Sequence, residues 1–306
     1  MSEEIPSQPT AEIISGTRVA RAQRAVIRER VSALIDHGVT PTLGVILVEG
    51  FAPSQIYVKY KVKAAQEVGI QVNINRFSAD VSLEDLYACV DEMNADPHTH
   101  GILVQLPLPE RLSSAEAWSV VERVHPDKDV DGLHPVNLGR IGTTSSPEQP
   151  LSAGFIACTP LGCLTLLRES IGDVSGKRAV VVGRSRIVGR PMASLLSAAN
   201  ATVTLCHSRT VDLGAHLRDA EIVIAAAGVP RLIRAQDLSP HAVVLDVGIH
   251  RLEDGSLCGD VDAGEVRQHV RALSPVPGGV GPMTIASLMS NVHLAALRQS
   301  RVKIDL

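Results

Sequence analysis

Aromatic residues make up only 2% of this 306-residue chain: one Trp, three Tyr and three Phe. Its core must therefore be built from Val, Leu, Ile and Ala, since apolar residues still reach 45%. Such a composition suits parallel sheets covered by helices. Cysteine is scarce as well. The five thiols (Cys89, Cys158, Cys163, Cys206, Cys258) are an odd number with no CxxC spacing, so neither a disulfide framework nor a zinc site is suggested. They read as small apolar residues in a reducing compartment. No apolar run reaches the roughly 18 residues of a membrane span, and Met1–Thr10 lacks the apolar centre of a signal peptide. A soluble cytoplasmic protein without a membrane partner is expected. Positive charge is not in excess either. A net charge of −4, with no long single-sign block, argues against a nucleic-acid partner.

What the chain does have is alternation. An apolar stripe of Val19, Ala22, Val26 and Val31–Leu34 predicts a helix over 17–36. Strands are predicted at 42–48, 70–77 and 101–105, and helices at 54–68 and 83–93. After His125 the pattern breaks, and residues 126–154, rich in Pro, Gly, Ser and Asp, read as loop and linker. Thr159 and Pro160 then suit the cap and first position of a helix through Leu167. Strands follow near 179–182, 202–206, 221–226 and 242–247, then a Pro/Gly loop at 274–282 and a final helix over 283–297. Two α/β domains of mostly parallel sheet are implied. The expected division is 1–150 and 151–282, with 283–306 packing back on the first domain.

The densest information lies between residues 180 and 210. An apolar strand ends at Gly183, a turn runs through Arg184 and Ser185 to Gly189, a helix follows, and a second strand ends in His207-Ser208-Arg209-Thr210. That order is half of a dinucleotide-binding βαβ unit. Gly183 sits where the turn must be tight, and Gly189 where backbone can approach a pyrophosphate at the positive end of a helix. An NAD site usually carries a carboxylate at the tip of the second strand, to bind the ribose 2'-hydroxyl. Here that tip carries a hydroxyl and a guanidinium, and Arg184 adds a second cation, which suits the 2'-phosphate of NADP. The spacing is not GxGxxG, and an ordinary αβ turn with solvated arginines reads the same way.

Six ordered motifs span the chain from about residue 10 to 298. They are Tyr57-Val58-Lys59-Tyr60-Lys61, the run from Gly101 to Pro109, Lys128-Asp129-Val130-Asp131-Gly132, Cys158-Thr159-Pro160, the Val182–Ser185 turn, and the run from Pro275 to Thr284. With them the chain resembles the bifunctional methylenetetrahydrofolate dehydrogenase/methenyltetrahydrofolate cyclohydrolases. The resemblance implies two α/β domains flanking a cleft, the second a Rossmann-type NADP-binding domain, and a homodimer acting in one-carbon folate metabolism. It implies that Tyr57, Lys61 and Gln105 are catalytic. Tyr57, Asp131, Pro277, Gly278 and Gly279 are implied to meet the folate, and Gly183, Arg184, Ser185, Ser208, Arg209 and Ile249 the cofactor. No metal is implied.

Tyr57 and Lys61 lie four apart, so on a helix both project from one face. In the implied chemistry a hydride leaves the methylene carbon for NADP+, and the placement of two ligands is the protein's main task. Water then opens the methenyl cation, and Lys61 is the implied acid–base group. A free lysine has a pKa of roughly 10.4, which burial or the cationic substrate must lower. Read singly, Lys61 is a solvated charge, Tyr57 an edge aromatic, Gln105 a strand cap and Asp131 a turn former. Their order favours the functional reading. Residues 49–53 (Glu-Gly-Phe-Ala-Pro) depart from the family's Gly-Asp-Asp-Pro-Ala-like run. That departure keeps open a dehydrogenase lacking the second activity. Another two-domain NADP oxidoreductase, such as a shikimate dehydrogenase-like enzyme, and a silent folate- or nucleotide-binding protein are the further alternatives.

Overall fold

The computed structural model describes residues 10–144, 146, 154–300 and 302. The N-terminal segment before residue 10, most of the linker at 142–153 and most of the tail beyond 300 lie outside the described residues. Two compact units emerge. One comprises Val19–Leu161 with the chain from Thr284 onward; the other comprises the chain up to Arg18 with Gly162–Met283. This differs from the expected boundaries chiefly at the start of the chain. Strand β1 (Glu12–Ile13) pairs with Ala272 and Leu273, and Thr17 N–H donates to Gly278 O at 3.0 Å. Residues 10–18 therefore belong to the second unit. A two-residue strand carries no periodicity, so only its partner reveals it.

The unit containing Lys61 is built from most of α1 (Gly16–Asp36), then β2 (Thr42–Val48), α2 (Ala52–Val68), β3 (Gln71–Phe77), α3 (Leu83–Ala95), β4 (Gly101–Val104), α4 (Ser114–Arg123) and α5 (Pro135–Thr143). Its sheet has the order β3-β2-β4, parallel throughout. The central strand reads TLGVILV and is buried along its whole length. Leu43, Val45 and Leu47 pack with Val58, Val68 and Leu103, while Ile46 and Val48 pack with Leu86, Val90 and Val120. The two sets follow from the two-residue period of a strand covered on both faces. Helix starts follow local chemistry: Ser82 caps α3, and Ser113 with Glu116 forms a capping box on α4. Helix α2 carries Pro53 in its first turn and ends at Gly69 with φ +86°.

The second unit has a six-stranded sheet of order β1-β11-β8-β7-β5-β6. Its strands are β5 (Arg178–Val182), β6 (Thr202–Cys206), β7 (Ile222–Ala225), β8 (Val243–Asp246) and β11 (Ala272–Leu273), all paired in parallel. A short antiparallel hairpin, β9 (His250–Arg251) with β10 (Leu257–Cys258), stands beside it. Helices α7 (Gly189–Ala198), α8 (Leu213–Arg218) and α9 (Ala263–Val266) complete the unit. Strand order reverses at β5, which has β6 on one side and β7 on the other, and ligands of open parallel sheets bind outside the strand ends at such a point.

Helices α6 (Cys158–Ile171) and α10 (Val280–Ser300) each contribute residues to both units. Among the described residues α10 is the one helix long and apolar enough to cross a membrane by length and composition. In this fold Leu288, Met289, Val292 and Ala295 of α10 are core residues of the Lys61 unit. The same helix buries His293 to 4% exposure, with no partner for Nε2. Burial, and then the charge of Arg30, push its pKa down to about 4. Between 6.5 and 4 the unfolded chain therefore binds more protons than the folded one, so stability falls as pH falls through that window. From those two values the loss by pH 4 is about 3 kcal/mol. Urea unfolding at pH 7 and pH 4 checks this: His293→Gln should lose markedly less stability than wild type, and equal losses would refute the assignment.

Candidate active site

Lys61 lies on the third turn of α2 and is 7% exposed. A lysine that deep needs a partner for its ammonium. Its Nζ donates to Gln105 Oε1 at 3.0 Å. Gln105 immediately follows β4, and its N–H donates to Ile46 O at 3.0 Å, extending the ladder by one residue. Its Nε2 donates to Leu106 O at 2.7 Å, and the buried Ser54 Oγ donates to the same oxygen at 3.3 Å. The amide is thereby oriented with its oxygen towards Lys61. Tyr57, one turn before Lys61, is half-buried, and loss of water raises its pKa.

Asp131 is half-buried in the loop after α4. Its backbone is held from several sides. Cys158 N–H donates to Asp131 O at 3.2 Å, and Asn291 Nδ2 of α10 donates to Val130 O at 2.8 Å and to Ile156 O at 3.1 Å. Asp129 accepts from His134 N–H and Asn137 Nδ2, both at 2.8 Å, and from Leu133 N–H at 3.2 Å. Burial raises the Asp129 pKa, and the three donors work against that rise. Gly132 has φ +73°, and a Cβ there would stand 2.5 Å from the backbone of Ile156 and Ala157. The Cys158 thiol reports how the site is arranged. Burial pushes its pKa well above the usual value, the Asp131 carboxylate adds to that, and the Lys61 ammonium opposes it. Lys61 and Asp131 thus both lie within electrostatic reach of one buried thiol, with Gln105 bonded to Lys61 and Tyr57 one turn away on α2. The unusual run at 49–53 leaves this intact: Phe51 is the exposed N-cap of α2 and makes no side-chain cap bond, while Ser54 behind it is buried.

The other predicted residues lie in the second unit or at its strand ends. Gly183 has φ +116°, and a Cβ there would stand 1.9 Å from Ala226 O. At Gly189 a Cβ would stand 2.0 Å from Gly183 O. Both turns therefore need glycine for conformation or closeness of approach. Ser185 Oγ accepts from Val188 N–H at 3.2 Å and Gly189 N–H at 3.3 Å, closing the start of α7. Gly183 N–H donates to Cys206 O at 2.9 Å, which sets the 183–186 turn beside the 207–210 turn. Arg184, Ser185, Ser208 and Arg209 are all exposed there, with no carboxylate in either turn. Ile249 is exposed beyond β8. Pro277, Gly278 and Gly279 belong to this unit, where Gly279 O would stand 1.7 Å from a Cβ at Gly16. Cradle and donor set fit a dinucleotide bearing an extra phosphate. Among the described residues no group of three or more His, Cys, Asp or Glu side chains could hold a metal.

Residues 14–131 match the family model for the tetrahydrofolate dehydrogenase/cyclohydrolase catalytic domain, and residues 157–300 match its NAD(P)-binding domain. The chain belongs to the tetrahydrofolate dehydrogenase/cyclohydrolase family. Curated relatives agree along nearly the whole chain. The bifunctional protein FolD of Geobacillus thermodenitrificans is 48% identical over 287 residues, covering 94% of this chain and 98% of the relative. That of Acidovorax sp. is 47% identical over 291 residues, covering 94% and 99%. Among solved structures, FolD of Campylobacter jejuni is 40% identical with a TM-score of 0.89, covering 95% of this chain and all of the other. The Trypanosoma brucei enzyme, solved with NADP cofactor and an inhibitor, is 35% identical, also at 0.89, covering 96% and 100%. Sequence reasoning missed the supporting roles of two residues. Asp129 reads as loop composition, and Asn291 as one polar position in an apolar helix. Only their hydrogen bonds show that they hold the backbone around Asp131.

Proposed function

We propose that this chain oxidises 5,10-methylenetetrahydrofolate with NADP+ and then hydrolyses the 5,10-methenyl cation to 10-formyltetrahydrofolate. The observation that carries the reading is the buried Lys61–Gln105 pair, 3.0 Å apart, within the stretch matched by the family's catalytic domain. When bound, NADP+ would supply the hydride acceptor, the folate nitrogen's lone pair expelling hydride from the methylene carbon. Gly183, Ser185 and Ile249 would hold it, with Arg184, Ser208 and Arg209 on the 2'-phosphate. No strong general acid is needed at this stage, and the protein's contribution is orientation.

Hydrolysis asks more of the side chains. Lys61 Nζ, as the neutral amine, takes a proton from the attacking water as its oxygen bonds to the methenyl carbon. That proton is returned to N5 as the carbinol O–H proton is released to solvent, so the C–N5 bond breaks, the C=O forms and the formyl group stays on N10. Gln105 fixes where the Lys61 nitrogen points. Tyr57 packs on the folate and donates a hydrogen bond, and Asp131 accepts from pterin N–H donors. The proposal extends to a homodimer, on the family resemblance, and to the cytoplasm, on five free thiols.

Purified protein mixed with 5,10-methylenetetrahydrofolate and either NADP+ or NAD+ tests this spectrophotometrically. Faster reduction of NADP+ than of NAD+, together with methenyl hydrolysis above the spontaneous rate, is expected. Oxidation without hydrolysis would favour the dehydrogenase-only alternative and remove Lys61 from its role. Absence of both would overturn the proposal.

A further inference from the structure

Two carboxylates at the end of β8 are unused by this chemistry. Asp246 is 3% exposed and Asp260 fully buried. Asp246 Oδ1 accepts from Gly248 N–H at 3.0 Å and from Asp260 N–H at 2.9 Å, and its Oδ2 accepts from Val261 N–H at 2.9 Å. Asp260 Oδ2 accepts from two consecutive amides, Ala227 at 2.5 Å and Gly228 at 2.9 Å. Its Oδ1 lies 2.7 Å from His250 Nε2. The backbone is moulded around both groups. A Cβ at Gly248 would stand 2.2 Å from Asp260 Oδ1, and one at Gly259 would stand 1.9 Å from Asp246 Oδ2.

The segments so gripped are the loops leaving β7 and β8. The first contains Ala226, whose carbonyl oxygen occupies the space a Cβ at Gly183 would need. The second contains Ile249, between Gly248 and His250. Both emerge from the carboxyl ends of strands, β7 being the neighbour of β5 at the point where strand order reverses. One buried side chain therefore fixes the backbone behind the glycine turn and, through His250, the backbone that presents Ile249.

We propose that Asp260 is a positioning residue for the cofactor, holding the 226–228 and 247–250 loops in the conformation that accepts NADP+. The inference rests on the cofactor reading given above. It distinguishes Asp260 from an ordinary core residue because its influence is confined to one ligand. Lys61, Gln105 and Asp131 all belong to the other unit, and neither loop contributes a residue to the set proposed for the folate.

Calorimetric titration of the full chain with NADP+ alone tests this, beside hydrolysis of added 5,10-methenyltetrahydrofolate. Asp260→Asn keeps the volume but replaces one acceptor oxygen by an NH2 and removes the charge that the Ala227 and Gly228 amides and His250 share. At least tenfold weaker NADP+ binding is expected, with hydrolysis within twofold of wild type. His250→Leu, at a partly exposed position, removes the outer bond alone and should weaken NADP+ by threefold or more; it decides the matter if Asp260→Asn does not fold. NADP+ affinity within twofold of wild type in the folded variants would overturn the proposal, as would parallel loss of binding and hydrolysis. A wild-type chain that binds NADP+ yet turns over neither folate would overturn the proposed function instead, and the binding comparison would still judge Asp260.

Discussion

Lys61→Ala is expected to lower kcat for methenyltetrahydrofolate hydrolysis by about 10²–10⁴-fold, the usual contribution of a positioned acid–base group. NADP+ affinity should stay within twofold of wild type. The asymmetry follows from placement. Lys61 is buried and bonded to Gln105, whereas Arg184, Ser185, Ser208 and Arg209 belong to the other unit. Lys61→Arg separates charge from proton transfer. A guanidinium keeps the positive charge but stays protonated at any working pH, so this variant should hydrolyse as poorly as the alanine one. Normal hydrolysis in the alanine variant, measured above the spontaneous rate, would remove Lys61 from the mechanism. Recovery in the arginine variant alone would assign it a purely electrostatic role.

Asp131→Ala should raise the KM for both folates together, by roughly ten- to hundredfold, as expected for losing a hydrogen bond to a charged group. Its effect on NADP+ binding should be small. The substitution is a fair test because the Asp131 carboxylate is half-buried and the surrounding backbone is held independently. Cys158 N–H bonds the Asp131 carbonyl, and Asn291 bonds that of Val130. Removing the side chain leaves those restraints in place. A far-ultraviolet spectrum and an unfolding midpoint close to wild type are expected alongside. Unchanged KM for both folates would refute the pterin role. A fall in kcat with KM unaltered would instead tie Asp131 to the reacting centre.

Comparison of particular elements shows what was legible in the sequence. The run at 42–48 announces a strand buried on both faces, because no polar residue interrupts it beyond Thr42, and β2 has those bounds. Helix α1 ends at Asp36, the bound expected from its apolar stripe. The region 126–154 shows the opposite case. Its Pro, Gly and Ser content reads as linker, yet Pro135–Thr143 is helical. Pro135 stands in the first turn, where a missing N–H costs nothing, and His134 accepts from Val136 N–H to start the helix. The final helix likewise begins at Val280, not 283, because Pro282 also falls in a first turn. Glycine and proline counts mark punctuation without saying on which side of it a helix stands.

The site divides in the same way. Tyr57 and Lys61 share a helix face by spacing alone, and Gly183, Arg184 and Ser208 mark two adjoining turns by their order along one βαβ unit. These are local relations, and local chemistry was enough to determine them. The bond between Lys61 and Gln105 across 44 residues was implied by the family resemblance, whereas joining Asn291 to Val130 across 161 needed the tertiary fold. So did Asp260, whose two amide donors come from a loop more than 30 residues earlier. Hydrophobic period and turn chemistry act over a few residues and are written into sequence directly. The partner of a buried polar group is chosen by packing, so it becomes visible only once the chain has brought distant segments within hydrogen-bond distance.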